Sequence, residues 1–153
     1  MTSQLLHGTA VAFGRYGVLI RGVPGAGKSR LALQLLDHPG YGLGQKLYRA
    51  KLVADDQVEL VLMGKSIVMS APKPLAGKLE VRGLGIVTAK YVRQITLRMV
   101  VDMIGDGIPD RMPELSDQSI DIMGLQIPRL VLATTDLAAP ARLRAALTHY
   151  AAT

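Results

Sequence analysis

The chain has 153 residues, of which 49% are hydrophobic, and a formal net charge of +6 from 18 basic and 12 acidic residues. This length favours one domain over residues 1–153, and the absence of cysteine excludes disulfides and thiol chemistry. No stretch approaches 18 apolar residues and no signal peptide is recognisable, so we expect a cytoplasmic protein without a membrane span. The basic residues are dispersed without aromatic neighbours, which argues against nucleic-acid binding.

The first elements frame a phosphate-binding loop. Alternating apolar residues predict strands over residues 5–13 and 17–21, and an apolar stripe at helical spacing predicts a helix over residues 29–37. Between the second strand and the helix lies a complete G-x-x-x-x-G-K-S motif: Gly22, Val23, Pro24, Gly25, Ala26, Gly27, Lys28 and Ser29. In this context the pattern predicts that the protein binds a nucleoside triphosphate.

Each part of the motif has a chemical use. The glycines permit backbone conformations in which successive N–H groups line one concavity, and the helix adds its unpaired N–H groups. Lys28 can reach the β- and γ-phosphates, and Ser29 can offer its hydroxyl to Mg²⁺. An ordinary glycine-rich turn before a helix is the alternative.

The later elements are mostly strands. Strands are predicted at residues 51–54, 58–63, 66–70, 79–81, 95–103, 120–123 and 130–133. A loop over residues 106–113 separates the strands at 95–103 and 120–123, and a closing helix is predicted over residues 141–150. Pro140 suits the first position of that helix. Because strands outnumber helices and hairpins are common, we predict an α/β domain with a mixed sheet rather than a doubly wound fold.

Two further groups of polar residues lie on or directly after predicted strands. Asp55 and Asp56 end an apolar strand, where one carboxylate can face Mg²⁺ and the other a nucleophile; a solvated turn is the alternative. Glu80 and Arg82 alternate with Val81, so both project from one face of a strand, where they could serve a metal and a phosphate or form a cross-strand ion pair.

In combination, these motifs resemble a known family. The order of His7-Gly8, the G-K-S loop, V-A-D-D and E-V-R-G-L-G-I is similar to the catalytic domain of bacterial HPr kinase/phosphorylase, strongly over residues 7–87 and more loosely to residue 132. Members usually carry an additional N-terminal domain, so the chain looks like a short form with the catalytic domain only. The resemblance implies the phosphate-loop architecture shared with phosphoenolpyruvate carboxykinase.

The resemblance also implies an activity. It indicates an ATP-dependent serine kinase whose substrate is HPr or a related phosphocarrier of the phosphotransferase system, and which assembles as a homo-oligomer such as a hexamer. Residues 22–29 would hold ATP, while Ser29, Asp56 and Glu80 would lie near Mg²⁺. Asp55 would be the general base, His7 would contact phosphate or Asp55, and Arg82 would place the protein substrate or a phosphate.

One segment departs from the family pattern. Members carry a V-(R/K)-P-G-R-N segment before the closing helix, whereas residues 132–138 here contain no arginine. We therefore expect kinase activity and doubt phosphorolysis of the phosphoserine. A non-catalytic ATP sensor and a small-metabolite kinase are the alternatives, and the second would be expected to carry a lid segment.

Overall fold

The computed structural model describes residues 2–105 and 107–151. Within these residues the helices and strands follow in this order: β1 (Thr2–His7), β2 (Thr9–Phe13), β3 (Tyr16–Arg21), α1 (Lys28–Asp37), β4 (Ala50–Ala54), β5 (Gln57–Met63), β6 (Ser66–Ser70), β7 (Lys78–Val81), β8 (Gly85–Thr88), β9 (Gln94–Ile104), β10 (Ser119–Ile122), β11 (Leu125–Ala133) and α2 (Ala139–Ala151). In the part of the chain described, no helix is long and apolar enough to cross a membrane.

The main sheet has mixed strand directions, as predicted. Its strand order is β1-β5-β6-β9-β3-β2-β4, and the β10–β11 hairpin joins it through β11 beside β9. The first residues of β9 pair antiparallel with β6, whereas its later residues pair parallel with β3 and β11. Because β3, β9 and β11 run parallel, their carboxyl ends meet at one edge of the sheet. The segment 22–29 starts from that edge.

The sheet has a buried core on each face. Successive residues of a strand point to opposite faces, so Val18 and Ile20 lie on one side of β3 and Leu19 lies on the other. The first face packs against Leu31 of α1 and Leu143 of α2, and burying such a side chain contributes about 1.5–3 kcal/mol. The helix that follows the glycine-rich loop therefore rests on a rigid support.

The predicted first strand, residues 5–13, is wrong as a single element. It is divided at Gly8 into β1, which pairs with β5, and β2, which pairs with β3 and β4. A side chain at Gly8 would lie 2.9 Å from the carbonyl oxygen of Ile20, and the Gly8 N–H donates to the carbonyl of Asp56 at 3.0 Å. This glycine lets two backbones approach, and the approach ends the strand.

The segment around Glu80 forms a hairpin outside the main sheet. β7 pairs antiparallel with β8, a strand that the sequence did not predict. Gly83 and Gly85 both have positive φ, 88° and 106°, a conformation that lets the chain turn tightly between β7 and β8. The hairpin meets the rest of the molecule through Leu79, which is buried in the core, and through the Glu80 N–H, which donates to Asp55.

The chain after β9 is close to prediction. Residues 107–113 are irregular, while residue 106, the first of the predicted loop, lies outside the described residues. The closing helix begins at Ala139, so Pro140 is its second residue and not its first. Both positions lie in the first turn, where proline's missing N–H has no intrahelical partner in any case.

Candidate active site

The glycine-rich loop forms a cradle at the start of α1. Gly25 and Gly27 have φ of 84° and 92°, which side chains rarely allow, and the Ala26 N–H donates to the carbonyl of Val23 at 3.0 Å. Gly22 is also required, because a side chain there would meet Ala26 Cβ at 2.8 Å. The loop thus turns twice in a short distance, a geometry that makes backbone concavities for anions.

The positive end of α1 opens onto this cradle. Gly27 caps the helix without a side-chain hydrogen bond, and the first turn contains Lys28 and Arg30 and no acidic residue. Cations are unfavourable at a helix N-terminus, where the backbone already carries partial positive charge. An anion bound in the loop would offset this repulsion.

Lys28 is held inside the loop. Its Nζ donates to the carbonyl oxygens of Gly22 at 2.8 Å and Val23 at 3.0 Å, and the residue is buried. Burial lowers the pKa of Lys28 below its usual value, whereas the charges of Asp55 and Asp56 act in the opposite direction. The ammonium group therefore lies beside the cradle with two carbonyls that a phosphate oxygen could replace.

The far side of the loop is tied to the end of β11. The Thr134 hydroxyl lies 2.8 Å from the carbonyl oxygen of Ala26 and 3.0 Å from that of Ile104. Arg30 in turn donates to the carbonyl of Thr134. The segment 132–138, which lacks the family's arginine, is therefore in contact with an arginine from α1.

Asp55 is a buried carboxylate with three donors. Its Oδ1 accepts hydrogen bonds from the hydroxyls of Ser29 at 2.8 Å and Thr9 at 2.9 Å, and its Oδ2 accepts from the backbone N–H of Glu80 at 3.0 Å. Only 5% of the residue is exposed. The carboxylate joins the glycine-rich loop, β2 and the β7–β8 hairpin at one point.

Asp56 lies in a different environment from its neighbour. Its side chain is 65% exposed, and its Oδ1 lies 3.4 Å from Nδ1 of His7. The backbone of Asp56 has φ of 69°, in the left-handed region, and its carbonyl accepts from Gly8. The strand break at Gly8 thus brings His7 and Asp56 together at the surface.

These residues line one cleft of about 540 Å³. Of the residues predicted for a functional site, the cleft contains His7, Pro24, Gly25, Gly27, Lys28, Ser29, Asp55, Asp56, Glu80 and Arg82. Gly22, Val23 and Ala26 belong to the loop but are not among its lining residues. The lining also includes Thr9, Arg30, Leu33 and Val81, which the sequence did not single out.

Two side-chain oxygens that could bind a metal ion, Ser29 Oγ and Asp55 Oδ1, lie 2.8 Å apart in the cleft. Over the residues described, no cluster of three histidine or acidic side chains is arranged to hold a metal ion. Mg²⁺ does not need such a cluster, because it usually takes one or two protein oxygens together with water and substrate phosphates. The adjacent oxygens of Ser29 and Asp55 fit that requirement.

Comparison with known proteins identifies the family. The family model for the HPr Serine kinase C-terminal domain matches residues 1–143. The chain belongs to this family. The resemblance found in the motifs is therefore confirmed.

Members of the HPr kinase family with curated names match most of this chain. The HPr kinase/phosphorylases of Burkholderia lata and Burkholderia cenocepacia are each 35% identical over 137 residues, which cover 83% of this chain. The chain spans only 39% of the length of these relatives.

A solved structure shows the same fold. The Hpr(Ser) kinase/phosphatase from Coxiella burnetii matches with a TM-score of 0.75 at 22% sequence identity, and the match covers 97% of each chain. The predicted fold, a mixed sheet of the HPr kinase type, is thereby confirmed.

Proposed function

We propose that the protein is an ATP-dependent serine kinase that phosphorylates HPr or a related phosphocarrier of the phosphotransferase system. Its curated relatives, of which it covers less than half, are named HPr kinase/phosphorylase. The observation that carries the proposal is the hydrogen bond between Ser29 and Asp55, which links a phosphate-binding loop to a buried carboxylate in one cleft. Phosphoryl transfer needs both parts: the loop positions the phosphates of the nucleotide, and the carboxylate can help to hold the metal ion that neutralises their charge.

ATP would bind with its phosphates in the loop. The backbone at Gly25 and Gly27 and the start of α1 supply N–H donors, and Lys28 would exchange its two carbonyl partners for phosphate oxygens. Gain of a charged partner compensates the burial of this ammonium group. The loop therefore provides positioning and charge stabilisation, the main contributions that a protein makes to phosphoryl transfer.

Magnesium would be held by Ser29 and a carboxylate beside it. When bound, Mg²⁺ neutralises charge on the phosphates. From the resemblance, Asp56 and Glu80 lie near the metal and Asp55 is the base. The contacts favour a different division of roles, because Asp55 is the carboxylate that is bonded to Ser29.

We therefore assign Asp55 to the magnesium side and Asp56 to the protein substrate. Asp56 is exposed to the cleft and has His7 beside it, so it can accept the proton of an approaching serine hydroxyl. The serine oxygen forms a bond to the γ-phosphorus, the bond to the β,γ-bridging oxygen breaks, and ADP leaves. His7 would orient Asp56, and Arg82 would hold the protein substrate or a phosphate.

The experiment combines purified protein, labelled ATP, Mg²⁺ and HPr-type carriers, followed by mapping of the modified residue. Acid-stable label on a serine is the expected result. ATP binding without transfer to any carrier would favour a sensor, and label on a small molecule would favour a metabolite kinase. Either result would overturn the proposed activity.

Three further expectations belong to this proposal. Phosphorolysis should be slow, because residues 132–138 contain no arginine. Rapid dephosphorylation of phospho-HPr in the presence of inorganic phosphate would contradict this.

The protein should form a homo-oligomer, which sedimentation as a monomer would refute. It should act in the cytoplasm, as the absence of cysteine and of a recognisable signal peptide led us to expect.

A further inference from the structure

Thr9 is a buried hydroxyl that the proposed chemistry has not yet used. It is the first residue of β2 and has no exposed surface, and the rest of that strand, Ala10, Val11, Ala12 and Phe13, is buried and apolar. A hydroxyl in such a position is costly unless it is hydrogen-bonded. The partner of this hydroxyl is Asp55 Oδ1, at 2.9 Å.

The contact fixes one side of the carboxylate. Thr9 holds Oδ1, and the Glu80 N–H holds Oδ2, so the plane of the Asp55 carboxylate is defined from two different elements. Ser29 then donates to the same Oδ1 at 2.8 Å. The direction of the Ser29 hydroxyl therefore depends on a carboxylate that Thr9 keeps in place.

We infer that Thr9 is a positioning residue, which aims Asp55 and, through it, the Ser29 hydroxyl at the magnesium ion of the bound nucleotide. The inference rests on the proposed nucleotide binding, and it does not depend on which carrier is phosphorylated. It predicts that the Thr9 hydroxyl affects how magnesium supports ATP binding. In this proposal the cradle of backbone amides contacts phosphate directly, so the binding that it provides should not depend on the Thr9 hydroxyl.

The test is Thr9→Val, which keeps the shape of the side chain and removes the hydroxyl. Calorimetry would measure ATP affinity at increasing Mg²⁺ and, separately, with EDTA. The half-saturating Mg²⁺ concentration should rise about tenfold, the effect of losing one hydrogen bond to a charged group, while affinity in EDTA changes by less than about twofold. Thr9→Ser retains the hydroxyl and should return the Mg²⁺ dependence to within about twofold of the parent protein.

A matched control is available on α2. The Thr148 hydroxyl is likewise hydrogen-bonded, from the Leu43 N–H and to the Arg144 carbonyl, and it does not line the cleft. Thr148→Val should leave the Mg²⁺ dependence unchanged. If Thr9→Val does not fold, Thr9→Ala and Thr9→Ser provide the comparison, because both lack the methyl group and only serine keeps the hydroxyl.

The outcomes separate this inference from the proposed function. If Thr9→Val has the parental Mg²⁺ dependence, or loses affinity equally with and without magnesium, Thr9 has only a structural role and the inference fails. If the parent protein binds ATP with magnesium and phosphorylates no carrier, the kinase proposal fails and the Thr9 result still stands. A parent protein that binds no ATP overturns both.

Discussion

Two carboxylates of the main sheet, Asp102 within β9 and Asp55 directly after β4, have opposite kinds of hydrogen-bond partner. Asp102 on β9 accepts from Arg21 Nε at 2.8 Å and Nη2 at 3.0 Å, and from Arg129 Nε at 2.6 Å. Asp55 accepts from two hydroxyls and a backbone amide, and in the described part of the chain no basic side chain forms an ion pair with it. One charge is balanced within the fold, and the other is solvated by neutral groups.

The difference explains which carboxylate can serve a ligand. Burial alone would raise the pKa of Asp102, but its hydrogen bonds and attraction to Arg21 and Arg129 outweigh burial and lower it. That carboxylate already has its cations and joins β3, β9 and β11. Two of the three donors to Asp55 are hydroxyls, which can rotate, and its negative charge has no fixed counterion, so a metal ion can supply the missing positive charge.

Removing each charge of the Asp55–Asp56 pair in turn tests which carboxylate serves magnesium and which serves the protein substrate. Asp55→Asn should weaken magnesium-dependent ATP binding at least tenfold and abolish transfer, since the oxygen beside Ser29 loses its charge. Asp56→Asn should leave ATP affinity within about threefold and reduce kcat by about 10²–10⁴, as expected for loss of a general base. Calorimetry and labelled transfer measure the two effects, and the reverse pattern would restore the assignment given by the resemblance.

Lys28→Met tests whether Lys28 serves ATP binding at a cost to the stability of the protein without ATP. ATP affinity should fall about hundredfold, because charge-assisted hydrogen bonds to phosphate are lost. The free energy of unfolding should not fall, because the variant no longer buries an ammonium group whose pKa is depressed. Lys51→Met, at an exposed position on β4, is the control. A clear loss of stability in Lys28→Met would show that the lysine supports the loop.

Asp102→Asn tests whether the contacts of Asp102 with Arg21 and Arg129 stabilise the fold. It leaves two partly buried guanidinium groups without their counterion, so the free energy of unfolding should fall by about 3 kcal/mol. Urea titration would measure this, with Asp121→Asn as a control that should stay within about 0.5 kcal/mol. The magnesium dependence of ATP binding should be unchanged while the variant is folded. A changed magnesium dependence would mean that the two carboxylates are coupled.

The smallest expected effect is the pH dependence of the stability that Asp102 contributes. Because the pKa of Asp102 is lower in the folded protein than the ordinary value of 3.8, the unfolded chain binds the proton more readily and stability rises with pH. The stability difference between the parent protein and Asp102→Asn should be constant near neutral pH and shrink as the pH falls below about 3.8. A difference that persisted in strong acid would mean that the charge of Asp102 is not its cause.

The sequence predicted contiguous features well. The phosphate-binding loop and α1 are encoded in adjacent residues, so the motif and its helical periodicity could be read directly. The break between β1 and β2 at Gly8 could not be predicted in this way. It depends on the carbonyls of Ile20 and Asp56, which the fold brings close to Gly8. The strand β8 was also missed, because it pairs only with β7 in a hairpin outside the main sheet.

The candidate site shows the same limit. The sequence singled out Asp55 and Asp56 at the end of an apolar strand, and Glu80 and Arg82 on one face of another strand. The cleft contains all four residues. Thr9 gave no signal, because threonine is ordinary in a strand and only its contact with Asp55 makes it notable. The pairing of Ser29 with Asp55 likewise arises where three elements of the fold meet. It could not be predicted from the spacing of residues in the sequence.

The left-handed backbone at Asp56 has a practical consequence for mutagenesis. With φ of 69°, this position accepts asparagine or glycine at little cost, whereas alanine and β-branched residues must also bear backbone strain. Alanine scanning would therefore confuse a conformational defect with a chemical one. In a saturation library, most replacements here would be eliminated by backbone preference before their chemistry could be judged.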